Sequence, residues 1–218
     1  MRLGLFKRQM MWAPTLQGWL VLGLALLAMV GVGVSQVEPF LSPTDRLPAE
    51  VLVVEGWMPD YALAKAAAEF RAGHYRYLIT DGGPLREGWY QSSDKTYAEL
   101  AAHALCSLGL KPEQVIPAPY AWAQRERTLT AAEAVERWLA TNDPGVRAIN
   151  VFTLGAHARR SRLVFQRVMG LRVRVGVIAL PDRDYDPARW WAFSEGIREV
   201  LSEGIGYLHA WLAPGRAR

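Results

Sequence analysis

The stretch NVFTLGAHARRSRLVF, residues 150–165, contains the transition that decides the fold. An apolar run ends at Leu154-Gly155, and His157 with three arginines follows in a segment of helical character. Short, continuously apolar runs are typical of strands buried on both faces, as in parallel sheets covered by helices. This stretch therefore predicts a buried strand that turns directly into a helix.

The same alternation of short apolar runs and longer amphipathic segments covers the chain after residue 50. The predicted strands are 51–56, 75–83, 113–119, 148–155 and 173–180. The predicted helices are 60–73, 93–110, 127–142, 157–170 and 187–212. Strands that alternate with helices predict a three-layer α/β domain with a mostly parallel five-stranded sheet.

Capping residues and apolar periodicity predict the ends and the apolar faces of these helices. Asp60 is the predicted N-cap of helix 60–73, with Gly73 as its stop, and Thr128 is the predicted cap of helix 127–142. In helix 93–110 the helical period places six residues on one face: Tyr97, Leu100, Ala101, Ala104, Leu105 and Leu108. Apolar residues at helical spacing mark 187–212 as one long closing helix: Trp190, Phe193, Ile197, Val200, Leu201, Ile205 and Leu208.

The N-terminal segment is predicted to cross a membrane. No charged residue occurs between Arg8 and Glu38, and residues 18–34 are almost wholly apolar. Extended by Leu16 at one end and by Gln36-Val37 at the other, this segment is long enough to cross about 30 Å of hydrocarbon. A cleaved signal peptide is the alternative, but the apolar region is long for one, and Gly33-Val34-Ser35 is only a weak cleavage site.

The distribution of charge predicts the topology of this membrane helix. Basic residues precede it and acidic residues follow it, so the positive-inside rule places the N-terminus in the cytoplasm. The predicted division is a cytoplasmic N-terminus (1–15), a transmembrane helix (16–37), a linker (38–49), the α/β domain (50–212) and a tail (213–218). The domain is therefore expected outside the cytoplasm.

Composition and motifs exclude several classes of protein. The net charge of +4 comes without a dense basic stripe, so nucleic acid is not an expected partner. Cys106 is the single cysteine, which can form neither an internal disulfide nor a metal site alone. The chain has no Gly-x-Ser-x-Gly elbow, Walker loop or His-Glu-x-x-His pair. The sequence does not identify a cofactor. Glu55, Asp81, Asp182 and His157 are of residue types that can bind a metal, but their spacing does not indicate a metal site.

The candidate site follows from the fold. In open parallel sheets, ligands bind outside the carboxyl ends of the strands. The candidate catalytic residues there are His157, Glu55 and Asp81. The candidate ligand-binding residues are Gly56, Trp57, Gly82, Gly83, Arg127, Thr128, Gly155 and Arg160.

An anionic ligand is the expected occupant of this edge. A helix N-terminus attracts anions, and arginines in a first turn oppose the helix dipole unless an anion joins them. The alternatives are a ligand-free Gly-Gly-Pro turn at Gly82, a solvated helix face at Arg159, a cap role for His157, and pairing of Arg160 and Arg162 with nearby carboxylates.

The order of these elements resembles the SanA/ElyC/YdcF family of bacterial envelope domains. The resemblance covers roughly residues 49–207: a membrane anchor, VVEGW at the first strand, a Gly-Gly turn, an Arg-Thr helix start, and LGAHARRSRLVF, which is similar to the family's VTSxxHxxRA motif. It implies a Rossmann-like fold and matches the family's His and Arg to His157 and Arg160. Two departures are Glu55-Gly56-Trp57 at the end of strand one and Thr130 where a glutamate is usual, which leaves Glu55 or Glu126 as substitutes.

The resemblance implies that the membrane is the inner (plasma) membrane of a bacterium and that the protein has a role in cell-wall or surface-polysaccharide biogenesis. The expected ligand is phosphorylated and nucleotide- or lipid-linked, and other envelope-biogenesis proteins are possible partners. As an enzyme the protein would be a hydrolase or transferase, with His157 as general acid or base and Glu55 or Asp81 assisting. The alternative is a non-catalytic binding or assembly module.

Overall fold

Residues 14–86, 92–123 and 126–213 are described by a computed structural model. The chain divides into two compact units, Met1–Gln36 and Val37–Arg218. The predictions for residues 1–15 and 213–218 lie almost wholly outside the described residues.

The second unit is built on five parallel strands. They are β1 (Val51–Glu55), β2 (Tyr77–Gly82), β3 (Val115–Pro119), β4 (Ala148–Leu154) and β5 (Arg174–Leu180). The order across the sheet is β3-β2-β1-β4-β5, and each neighbouring pair is parallel. The predicted five-stranded parallel sheet is confirmed.

Helices cover both faces of this sheet. They are α2 (Asp60–Ala72), α3 (Tyr97–Ser107), α4 (Arg127–Asn142), α5 (Ala158–Met169) and α6 (Ser194–Leu212). Helices α2 and α3 pack on one face, α4 and α5 pack on the other, and α6 packs on α5. The three-layer, Rossmann-like α/β class predicted from the sequence is therefore confirmed.

Alternation along β1 shows how the two cores form. Leu52 and Val54 point into the core under α2 and α3, whereas Val51 and Val53 point into the core under α4 and α5. All four are fully buried, which is why the strand reads as one continuous apolar run. The same alternation places Glu55 on the α4/α5 face.

Several details of the helices differ from the sequence predictions. Asp60 is the first residue of α2, and the cap position belongs to Pro59, which makes no side-chain cap bond. The cap of α3 is Thr96, which forms a reciprocal capping box with Glu99. Two residues of the predicted inner face of α3, Leu100 and Leu108, are exposed.

Helix α4 has the predicted bounds, but Thr128 is not its cap. The cap position is Glu126, in a left-handed conformation (φ 54°) and without a side-chain cap bond. The Thr128 side chain turns inward instead. The predicted helix 187–212 is also divided, because a 3₁₀ turn (Pro187–Ala192) ends at an extended Phe193 before α6 begins.

The N-terminal helix α1 (Leu16–Leu41) contains the predicted span. It is long and apolar enough to cross a membrane, with a mean hydropathy of 2.2. The helix continues past residue 37 to Leu41, whose side chain is buried in the second unit. The predicted linker also contacts that unit, through a backbone bridge between Asp45 and Val177.

Candidate functional site

Three polar side chains continue the α4/α5 face of the sheet at its carboxyl edge. Glu55 lies beside Asp81 in the register of β1 and β2. On its other side, the Thr153 hydroxyl of β4 donates a hydrogen bond to Glu55. All three are buried, and they follow apolar residues of the same face such as Val53. This row forms the floor of the candidate site.

Glu55 is fully enclosed by donors. Its Oε1 atom accepts a hydrogen bond of 2.7 Å from Ser161 and lies 3.4 Å from Nε2 of His157. Burial by itself raises the pKa of Glu55. The charge of His157 and these hydrogen bonds lower the pKa by more than burial raises it, so the net shift is downward. Glu55 is therefore an ionised carboxylate without access to water.

His157 lies between two carboxylates. Its Nδ1 atom is 3.1 Å from Oε1 of Glu203, on the opposite side from Glu55. Burial lowers the pKa of His157, but the charges of Glu55 and Glu203 outweigh burial and raise it to about 10. At neutral pH the ring is an imidazolium, and both of its nitrogens are donors.

Arg160 completes the cluster on the side of α6. Its Nε and Nη2 atoms donate to the two oxygens of Glu203 at 2.7 and 2.8 Å, and Nη1 donates to the Thr128 hydroxyl at 3.0 Å. Nη2 is also 3.0 Å from Nδ1 of His157. This is a close approach of two cations that Glu203 bridges.

The charges of the cluster are balanced. Burial raises the pKa of Glu203, but His157 and Arg160 outweigh it and lower it to about 2. Two carboxylates, Glu55 and Glu203, thus face two cations, His157 and Arg160. The arginine conflict noted in the sequence is resolved by a carboxylate from the same chain, which is the pairing alternative.

Asp81 is the exception in this row. Its Oδ2 atom is buried and has no hydrogen-bond partner among the described residues. Burial and the charge of Glu55 raise the pKa of Asp81 well above its ordinary value, despite the opposing charge of His157. These effects favour the neutral form of the carboxyl group, which also has an unused hydrogen-bonding atom.

The glycines at this edge are explained by close packing. A β-carbon on Gly56 would lie 2.4 Å from the Asp81 carbonyl oxygen and 2.6 Å from that of Tyr97. At Gly82 it would lie 2.6 Å from the backbone nitrogen of Ala98. From the sequence, the backbone at these glycines is expected to contact a ligand, but the start of α3 packs against it instead.

Gly83 and Gly155 are packed against tyrosines. A β-carbon on Gly83 would lie 2.6 Å from the Tyr120 ring, whose hydroxyl is hydrogen-bonded by the Gly83 N–H. Gly155 has φ +37°, and a β-carbon there would lie 3.1 Å from the Tyr185 hydroxyl. Neither glycine therefore presents a free backbone surface.

Two of the predicted ligand-binding residues face solvent. Trp57 is 40% exposed and places its ring edge-on to His157, with centroids 5.2 Å apart. Arg127 is exposed at the first position of α4. Burial raises the pKa of Tyr120 and the charge of Asp81 adds to the rise, whereas the charge of Arg127 opposes it, so both charged groups lie near the Tyr120 hydroxyl.

Sequence reasoning missed three residues of the cluster: Thr153, Ser161 and Glu203. Thr153 shares the strand parity of Val151, and Ser161 follows His157 by one helical turn, so both positions were open to inference. Glu203 lies 43 residues from Arg160 in the chain. Its only signal is that it shares a helix face with Gly196 and Val200, which are buried.

Other features of the described residues lie outside this site. No group of three or more His, Cys, Asp or Glu residues among them is arranged to hold a metal ion. An open cleft of about 810 Å³ lies at the amino ends of β1 and β2, lined by residues such as Arg46, Glu50 and Arg76. That is the edge opposite to the charged cluster.

The cluster occupies a defined position in a Rossmann-like α/β domain. In the order β3-β2-β1-β4-β5, successive connections change direction between β1 and β4. The crevice at this switch point is where such sheets bind ligands. Glu55 ends β1 and His157 follows β4, so the pair bridges the crevice. No protein-family model, curated protein or solved structure matches the chain.

Proposed function

We propose that the chain is a single-pass membrane protein of the bacterial envelope whose α/β domain binds a phosphorylated ligand at the carboxyl edge of the sheet. Helix α1 supports the anchor, and the excess of basic residues before it supports an extracytoplasmic domain. The resemblance to the SanA/ElyC/YdcF family supplies the process, cell-wall or surface-polysaccharide biogenesis. The ligand would be nucleotide- or lipid-linked.

The observation that carries the proposal is the charged cluster at the switch point, with the unpartnered Asp81 beside it. A buried polar atom without a partner is uncommon in folded proteins. The raised pKa of Asp81 favours its protonated form, and a protonated carboxyl can donate a hydrogen bond to a phosphate oxygen, which an ionised carboxylate would repel.

The cation for the phosphate would be Arg127. His157 and Arg160 are already neutralised by Glu55 and Glu203, whereas Arg127 is exposed at the start of a 16-residue helix. The cap residue Glu126 makes no side-chain bond to the first turn of that helix, so an anion would supply the acceptor that the cap does not.

If the protein is an enzyme, His157 would act as a general acid. Its pKa of about 10 leaves it protonated at neutral pH, and Glu55 fixes its orientation. It would protonate the oxygen of a leaving group during hydrolysis or transfer at the phosphorylated ligand. Trp57 would limit water beside the ring.

A non-catalytic binding or assembly module is the second candidate. One observation favours it: each charged group of the cluster has a partner without any ligand. In this case the cluster would hold the edge of the sheet in shape, and only Arg127 and Asp81 would meet the ligand.

Thermal unfolding of the full chain in detergent micelles would test the binding proposal. The panel contains phosphate, nucleotides, nucleotide sugars and an undecaprenyl-phosphate analogue. A ligand at about 100 times its dissociation constant adds about 2.7 kcal/mol to the unfolding free energy. We expect a phosphorylated ligand to stabilise the wild type and Arg137→Ala, which alters the far end of α4, but not Arg127→Ala. Equal responses of the three proteins, or none, would refute the site.

The same panel would separate the two candidates. His157→Gln that binds the ligand but no longer converts it indicates an enzyme. Product formation is measured by a phosphate-release assay and by mass spectrometry. A wild-type protein that binds the ligand but forms no product in either assay indicates the binding module.

A further inference from the structure

Helix α6 exposes the apolar side chains that a surface helix normally buries. Its buried face consists of Gly196, Val200 and Glu203. A separate stripe of large apolar residues faces outward along the helix, with 40% to 71% of each residue exposed: Ile197, Leu201, Ile205, Leu208 and Leu212. We call these five residues the α6 stripe. A carboxylate is buried on this helix while five aliphatic side chains remain outside, and none of the described residues covers the stripe.

The size and flanks of the stripe indicate a partner surface. At 1.5 Å per residue, the 15 steps from Ile197 to Leu212 span about 22 Å. Exposed tryptophans lie near both ends, Trp191 before α6 and Trp211 within its last turn. Continuous exposed apolar patches mark contacts with proteins or membranes, and tryptophan is enriched at membrane–water interfaces.

The end of the N-terminal helix packs against the middle of α6. The Phe40 ring lies edge-on to Tyr207 with centroids 5.6 Å apart, and the Arg159 side chain donates to the Phe40 carbonyl. Leu41 is buried, and its Cδ1 atom is 3.9 Å from where a β-carbon on Gly204 would lie. Gly204 and Ile205 are neighbours, so the contact is at the margin of the stripe.

The chain between the predicted span and this contact is short. Leu41 follows the last predicted span residue, Val37, by four residues of the same helix. Four residues add about 6 Å along a helix. Amphipathic helices that bind bilayers place their apolar face about 5–10 Å into the boundary between headgroups and acyl chains. The centre of α6 is thus within reach of that boundary if α1 spans the bilayer.

We propose that the α6 stripe lies in the surface of the membrane that α1 spans, so that the domain is held at the lipid by two contacts. The occupant is phospholipid, and the inference rests on the proposed anchor. Because α6 also carries Glu203, the charged cluster would be about one helix diameter, roughly 10 Å, from the lipid. The tether favours lipid over a second copy of the chain, since the residues that contact α6 lie within four residues of the end of the predicted span.

Site-specific labels in the full chain would test this. In a Cys106→Ser background, three variants each carry one environment-sensitive fluorophore: Leu24→Cys in the span, Ile205→Cys in the stripe, and Ser202→Cys on the exposed polar side of α6. The proteins are reconstituted in phosphatidylethanolamine–phosphatidylglycerol vesicles that contain doxyl-labelled phospholipid. We expect quenching at positions 24 and 205, at least about twofold stronger at 205 than at 202.

Three other outcomes would contradict either the membrane anchor or the lipid contact of the α6 stripe. No quenching at position 24 refutes the anchor and this inference together. Quenching at 24 with equal, weak quenching at 205 and 202 refutes the inference alone. Self-quenching at 205 that disappears on dilution in lipid indicates a second copy of the chain and also refutes it. Leu208→Cys repeats the measurement at a second position, and near-ultraviolet circular dichroism verifies the fold of each variant.

Discussion

Nε2 of His157 lies 3.4 Å from Oε1 of Glu55, and less than a tenth of either side chain is exposed. The two residues follow β4 and end β1, so this ion pair bridges the point where the strand order changes direction. Taking two charges out of water is costly, and the pair persists because Ser161, Thr153 and Glu203 satisfy its remaining atoms.

Removing the charge of Glu55 is expected to destabilise the domain strongly. Glu55→Gln keeps the shape of the side chain but leaves His157 with one carboxylate fewer, and breaking a buried pair costs about 3–5 kcal/mol. The control is Glu195→Gln, which removes an exposed pair with Arg198 and should cost less than about 1 kcal/mol. Urea unfolding of the full chain in micelles measures both, and similar losses would show that the Glu55 pair is energetically unimportant.

The stability should decrease as the pH rises above neutrality. The pKa of His157 is raised from 6.5 to about 10, so the folded state holds a proton that the unfolded state has lost. This contribution is complete below pH 6.5 and disappears as the pH rises through about 10, with a slope of up to about 1.4 kcal/mol per pH unit. Nitrogen-15 NMR of the imidazole should show a protonated ring at pH 8 in the folded chain but not in urea. A neutral ring in the folded chain at pH 8 would contradict this.

The sequence predicted the sheet more completely than the site. Strands such as β1 and β4 are apolar apart from Glu55, Asn150 and Thr153, so their burial on both faces is visible in the sequence. The convergence of Glu55, Asp81 and His157 followed from the rule that the strands' carboxyl ends share one edge.

The other contacts of the site, and the exposed face of α6, depend on packing between helices that sequence periodicity does not encode. Glu203 reaches Arg160 from another helix, and Thr128 turns from its predicted cap position toward the same arginine. The α6 stripe has the periodicity of a core face, yet Val200 and Glu203 form the buried face. A helical period identifies an apolar face but does not determine what covers it.

Asp81→Asn should stabilise the domain increasingly as the pH rises. The pKa of Asp81 is raised, so above its ordinary value of 3.8 the folded wild type retains a proton that the unfolded chain releases. This lowers wild-type stability with rising pH, and asparagine removes the effect while remaining neutral. The unfolding free energies of both proteins at pH 5 and pH 8 give the measurement. If the difference in unfolding free energy between Asp81→Asn and the wild type is the same at pH 5 and pH 8, Asp81 is ionised in the folded protein and the prediction is wrong.

Arg160→Lys should behave as a disruptive change. The guanidinium donates from two nitrogens to Glu203 and from a third to Thr128, a fork that an ammonium cannot reproduce. We expect a loss of about 2–4 kcal/mol of unfolding free energy. Arg198→Lys, at an exposed arginine of α6, should change it by less than about 0.5 kcal/mol. If Arg160→Lys costs as little unfolding free energy as Arg198→Lys, the guanidinium of Arg160 contributes only its charge and not its hydrogen-bond geometry.

Gly56→Ala distinguishes packing from ligand approach as the reason for glycine at the end of β1. The added methyl group would lie 2.4 and 2.6 Å from two carbonyl oxygens of the backbone, of Asp81 and Tyr97, which cannot rotate away as a side chain would. We expect a loss of about 3 kcal/mol or more in the absence of any ligand. Gly204→Ala is the matched control, since its β-carbon meets only Leu41 at 3.9 Å and alanine favours a helix by up to about 1 kcal/mol. A Gly56→Ala protein of unchanged stability that no longer responds to the phosphorylated ligand would instead assign this glycine to the ligand, because only the bound state would then require the space.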